Sequence, residues 1–173
     1  IISVLKGVTA KEPSLPYRVM LVDDDKTMAP IYERALTKAG FSSLLIANPL
    51  NAIKAIKEFE PDVIVTDVLM SGCNGLEFLS MIRQDDALLE IPVILMTSFD
   101  DPDRKTEALY LGADDYLVKP VSLPLLLATV TAYAQKSRRL RRTRSDLHEV
   151  FVRLKKGECA TCGKSPVRDL TWI

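Results

Sequence analysis

Val63-Ile64-Val65-Thr66-Asp67 decides the fold. A β-branched run that ends on a carboxylate reads as a buried parallel strand delivering one acid to the rim of a sheet. Three more stretches follow the same plan. Arg18-Val19-Met20-Leu21-Val22 ends on Asp23, Asp24 and Asp25; Pro92-Val93-Ile94-Leu95-Met96 ends on Thr97; Tyr116-Leu117-Val118 ends on Lys119-Pro120. Acids, a hydroxyl and an amine therefore fall at the C-terminal ends of strands, where open α/β sheets place their sites.

Helical patterns separate these strands. Met28–Ala39 carries apolar residues at 28, 31, 32, 35, 36 and 39, is closed by Gly40, and has Pro30 in its first turn. Phe41–Ala47 reads as a further strand. Asn48 caps a helix with Pro49 at its first position, running to about Phe59. A Gly-rich loop, Ser71-Gly72-Cys73-Asn74-Gly75, precedes a helix from Leu76 to about Arg83. Asp103–Leu111 is a helix ended by Gly112, and Ser122 caps a last helix starting near Leu123. Five β-α units with right-handed crossovers predict an α/β fold: a five-stranded, doubly wound parallel sheet with five helices, the last one extended.

The 173 residues suit one domain plus an appendage, and 47% apolar content suffices for a packed core. Formal net charge is zero, yet residues 1–135 hold 12 Lys/Arg against 19 Asp/Glu and residues 136–173 hold 11 against 4. The body is acidic and the tail basic. No apolar run approaches the roughly 20 residues that span a bilayer, and no signal-peptide pattern opens the chain. Three cysteines make no disulfide framework, so a reducing cytoplasm is the expected location. The expected divisions are a lead-in at 1–17, a domain at 18–136, and a basic helical extension with a Cys-x-x-Cys tail at 137–173. An Ile1 start and an Ile173 end read as a piece of a longer polypeptide.

Converging carboxylates repel: at an effective dielectric of about 20, a pair about 4 Å apart costs roughly 4 kcal/mol. Such a site holds protons or binds a cation. Oxygen ligands without His or Cys suit Mg²⁺, which takes one or two carboxylates, waters and a phosphate oxygen. An ammonium and a hydroxyl beside it complete a phosphoryl site in which Asp67 can act as nucleophile.

At this point the residues resemble a known family. Val22-Asp23-Asp24, Asp67 with Met70 and Gly75, Thr97-Ser98, and Gly112-Ala113-Asp114-Asp115-Tyr116-Leu117-Val118-Lys119-Pro120 are similar to the receiver domain of two-component response regulators, over about residues 18–136. The resemblance implies a flavodoxin-like receiver fold with Asp67 as phosphoacceptor. It implies Mg²⁺ ligated by Asp24 and Asp67 directly, by Asp23 through water, and by the backbone carbonyl of Leu69. Lys119 would pair with the phosphoryl group, and Thr97 with Tyr116 would form the switch. The implied donor is a sensor histidine kinase or phosphotransfer protein, and the only implied catalysis is self-phosphorylation and autodephosphorylation. Ser71, Cys73 and Asn74 depart from the proline, methionine and aspartate common in the family. Leu69 and Phe99 occupy the family's two positions that tune hydrolysis; neither can orient water, which predicts a slowly hydrolysing phosphoform.

Other readings weigh less. A phosphohydrolase with an aspartate nucleophile usually carries a second acid two residues on, where this chain has Leu69. Nucleotide binding lacks both G-x-G-x-x-G after the first strand and GxxxxGK[ST]. Asp25 and Asp115 are expected to be solvated, and Asp100, Asp101 and Asp103 favour a helix start. His148 falls on a basic helix expected to be exposed and is not expected to transfer a phosphoryl group. The run Lys136-Ser137-Arg138-Arg139-Leu140-Arg141-Arg142-Thr143-Arg144 is expected to be a solvated helix face rather than a nucleic-acid site. Cys159 and Cys162 form half of a zinc signature whose second pair is missing, so two reduced thiols are the expected reading. Surplus apolar residues on the last helix, with Leu126, Tyr133, Leu140, Leu147 and Leu154 at sevenfold spacing, point to a homodimer through the last helices. The companion positions Thr129, Lys136 and Thr143 are polar, which weakens that pattern. An output domain is expected beyond Ile173.

Overall fold

The computed structural model describes residues 16–98 and 102–155, with no side-chain detail for 153–155. Strands β1 (Arg18–Val22), β2 (Ser42–Ile46), β3 (Val63–Asp67), β4 (Val93–Thr97) and β5 (Asp115–Val118) alternate with helices α1 (Ala29–Lys38), α2 (Pro49–Phe59), α3 (Gly75–Gln84), α4 (Pro102–Tyr110) and α5 (Leu123–Lys155). All strand pairs are parallel, in the order β2-β1-β3-β4-β5. This is the doubly wound, flavodoxin-like order, with its reversal between β1 and β3.

Side chains alternate across the sheet because the strand period is two. Val19, Leu21, Val63, Val65, Ile94, Met96 and Leu117 pack on α1 and α5 with Tyr32, Leu36, Leu126 and Val130. Met20, Val22, Ile64, Val93, Leu95 and Tyr116 face the other way, onto Ala52, Ile56, Phe78, Leu79, Ile82 and Ala108. Each fully buried Leu, Ile or Phe side chain contributes roughly 1.5–3 kcal/mol. Burial on both faces explains why β3 and β4 are apolar along their length.

The helix starts follow the sequence closely. The Asn48 side chain accepts from Leu50 N at 2.9 Å with Pro49 in the first turn. Asn74 accepts from the amides of Leu76 and Glu77, while Glu77 reaches back to Asn74 N at 3.0 Å, closing a capping box at α3. Asp25, expected to be merely solvated, accepts from Thr27 N at 2.8 Å and Met28 N at 3.1 Å just before α1. Those bonds to Thr27 and Met28 hold its carboxyl below the ordinary range.

One expectation fails on α5. The basic run is not simply a solvated face: Arg138 and Arg141 turn back onto the carboxylate of Asp62, and Arg144 meets Glu90 at 2.7 Å. Lys136, Arg139 and Arg142 do face solvent. The inward stripe of α5 is Leu126, Val130, Ala134 and Ser137, a spacing of three to four, whereas Leu140 and Leu147 are exposed. Among the described residues, no helix is long and apolar enough to cross a membrane. Phe99, Asp100, Asp101, Cys159, Cys162 and Leu154 lie outside the residues whose side chains are described.

Candidate active site at the strand ends

β1 and β3 are neighbours, with Val22 level with Thr66, so Asp23, Asp24 and Asp67 emerge side by side. Each of the three offers a carboxylate oxygen within 4.8 Å of the others'. Asp23 and Asp67 are buried, and Asp24 is half-exposed. The donor set is all oxygen, with no His or Cys in the cluster, which fits a hard cation such as Mg²⁺.

Lys119 enters from the end of β5. Its Nζ lies 2.8 Å from Asp23 Oδ2 and 3.0 Å from Asp67 Oδ2. Burial disfavours its charge, but hydrogen bonds and charges from Asp23 and Asp67 outweigh that and raise its pKa. Asp67 shifts upward: burial dominates, against the hydrogen bond and charge of Lys119, and the Asp23 charge adds to the rise. Its Oδ1 accepts from Val68 N at 2.8 Å. A buried acid, one oxygen held by an amide and the other by an amine, is oriented as a nucleophile or a metal ligand.

Asp24 behaves differently. Its Oδ2 accepts from the backbone N–H of Ser71 at 2.7 Å. That bond is the main cause of a lowered carboxyl pKa, followed by the Ser71 side chain. A proline at 71 would have no N–H to give.

The loop that carries Ser71 is closed by Gly75, whose N–H donates to the Val68 carbonyl at 2.9 Å. A Cβ added at Gly75 would sit 2.2 Å from the Asp67 carbonyl oxygen, so only glycine lets α3 begin there. Leu69, two residues after Asp67, is 44% exposed.

Thr97 is fully buried at the end of β4, one residue past the partner of Asp67. Its carbonyl accepts from Lys119 N at 2.6 Å, across the β4–β5 edge. The Lys119–Pro120 peptide is cis. Tyr116 is 7% exposed, inside the cluster that contains Ala108 and Ala113. The structure thus brings Asp23, Asp24, Asp67 and Lys119 into contact range, sets Thr97 on the adjoining strand, and turns Tyr116 into the core. Ser71 and Gly75 were visible only as a departure and a motif letter; their roles require the loop's path.

Comparison with known proteins bears on the family and the fold. The family model of the response regulator receiver domain matches residues 19–131. The chain is 31% identical over 119 residues to the phosphate regulon transcriptional regulatory protein PhoB of Pseudomonas aeruginosa. That match covers 69% of this chain and 52% of PhoB, so the chain spans about half the length of this relative. Among solved structures, the Francisella response regulator 1452 receiver domain superposes with a TM-score of 0.66 at 29% identity, covering 70% of this chain and 98% of that one. Vibrio cholerae chemotaxis protein CheY4 gives a TM-score of 0.65 at 28% identity, covering 68% and 98%. The chain belongs to the response regulator receiver family, and the site just described lies within the matched residues.

Proposed function

We propose that this chain is a signalling phosphoacceptor, with Asp67 as the residue modified. An Asp67 carboxylate oxygen attacks the phosphorus of a phosphohistidine on a sensor histidine kinase or phosphotransfer protein. The P–O bond forms as the P–N bond breaks, and the departing imidazole recovers a proton from solvent. The observation that carries this reading is the Lys119 ammonium shared between Asp23 and Asp67, beside a third carboxylate.

Asp23, Asp24 and Asp67, with the Leu69 carbonyl, would hold Mg²⁺. The ion, when bound, would supply positive charge to offset the phosphoryl oxygens. Lys119 balances the remaining charge and keeps Asp67 oriented. Thr97 would donate its hydroxyl to the new phosphoryl group, and Tyr116 would follow, changing the face formed by α4, β5 and α5. A phosphoryl group adds about −1.5 to −2 charges at one point, and this pair is the element that it biases. Self-phosphorylation and slow autodephosphorylation are the only catalysis in this reading. Pairing of two copies through α5 and control of an output domain beyond Ile173 complete it.

The test is mass measurement after incubation with a small phosphodonor and Mg²⁺. One added phosphoryl group, absent in Asp67→Ala and absent with chelator, is the expected result. No mass gain, or an equal gain in Asp67→Ala, would overturn the proposal.

A further inference from the structure

At the end of the sheet opposite the site, one buried acid meets two cations. Asp62 immediately precedes β3 and is 2% exposed. Its Oδ2 accepts from the Arg18 amide at 2.8 Å, and its own N–H donates to the Arg18 carbonyl at 2.7 Å, so the backbone fixes it in place. Both carboxylate oxygens are then taken by guanidinium groups from α5: Arg138 binds Oδ2 and, at 3.4 Å, Oδ1, and Arg141 binds Oδ1.

Arg138 makes two further contacts. It donates to the Pro16 carbonyl at 3.0 Å, and its guanidinium carbon lies 4.3 Å from the centre of the Tyr17 ring. The chain entering the domain, the strand that ends at Asp67 and the helix leaving the domain therefore meet at one side chain. Ser137 is the last buried residue of α5 among those described; beyond it Leu140 and Leu147 are more than half exposed, and arginines reach back to the domain. Arg141 and Arg144 fasten it further, onto Asp62 and Glu90.

We infer that Asp62 is a latch that fastens the outgoing part of α5 to the foot of the sheet through Arg138 and Arg141. One buried carboxylate is shared by two guanidinium groups three residues apart on the same helix, leaving one net positive charge that the partly exposed Arg141 turns toward solvent. Without it those two cations face each other, and removing one partner of a buried ion cluster leaves uncompensated charge. The helix then separates from the domain from residue 138 onward. The Glu90–Arg144 pair is solvent-exposed and contributes little by comparison. The latch lies outside the carboxylate cluster and stands whether or not Asp67 takes a phosphoryl group.

Amide hydrogen exchange on the full chain tests this. In Asp62→Asn, exchange across residues 138–150 accelerates by about tenfold or more, while β1, β3 and β4 keep their protection. Arg141→Met produces the same localised change, and Glu90→Gln leaves the segment unchanged. Should Asp62→Asn fail to fold, as read by circular dichroism, Arg141→Met decides alone. Unaltered exchange of 138–150 in the decisive variants overturns the latch. So does acceleration spread evenly over the sheet, which would make Asp62 an ordinary core residue.

Discussion

Lys119 and Asp67 form a 3.0 Å ion pair in which the lysine is 11% exposed and the aspartate 8%. The amine is already committed to the acid that would share it with a phosphoryl group. Lys119→Met should therefore slow modification of Asp67 by a small phosphodonor by about 100-fold, the cost of losing one preorganised charge at the reacting centre. Time-resolved mass measurement reads this; an unchanged rate removes Lys119 from the chemistry.

Burial lifts the Asp67 carboxyl above its ordinary 3.8, against the opposing pull of Lys119. Between 3.8 and the raised value, the folded chain keeps a proton that the unfolded chain has released. Stability then falls as pH rises through that window, and the loss persists above it. Asp67→Asn cannot ionise, so with chelator present it should melt above the parent at neutral pH, the gap closing as pH falls through that window and gone below 3.8. Thermal melts across a buffer series give the answer. A variant that melts lower at neutral pH would mean that the Lys119 pair outweighs the cost of burying the charge.

The Ser71 amide that grips Asp24 is a feature that proline cannot supply. Ser71→Pro should weaken Mg²⁺ binding by about tenfold, comparable to losing a group that orients a metal ligand. Ser71→Ala, which keeps the N–H, should weaken it less. Titration calorimetry with Mg²⁺ alone compares the three chains, and equal affinities would show that Asp24 needs no such support.

Leu69 sits two residues after the proposed acceptor, with its side chain partly in solvent. An apolar group there cannot orient a water toward an acyl phosphate. Leu69→Asn should shorten the phosphoform lifetime about tenfold, less than the roughly 100-fold or more of a positioned acid–base group, because an amide orients water without taking its proton. Timed loss of the phosphoryl mass measures it, and a longer or unaltered lifetime would refute the assignment.

The strands and their terminal acids were legible because short-range pattern is enough to show them. Val63–Asp67 is an apolar run on both faces that closes on a single acid. Asn48-Pro49 announces a helix without any tertiary information. The Asn74-x-x-Glu77 capping box was equally readable, yet Asn74 stood out only as a departure from the family's aspartate. What could not be read is contact between distant segments. Nothing near Asp62 in the sequence points to Arg138 or Arg141, 76 and 79 residues away. The same limit hid the Ser71 amide, 47 residues from Asp24, because a backbone donor has no sequence signature.

The unbroken course of α5 has a mechanical consequence. Its 33 residues make a rod about 50 Å long, of which the 18 residues from Arg138 to Lys155 extend about 27 Å past Ser137. A pivot of about 10° where the rod meets the domain carries its tip roughly 5 Å sideways. Small rearrangements on one side of a compact body thus become displacements large enough to separate or join whatever the far end bears.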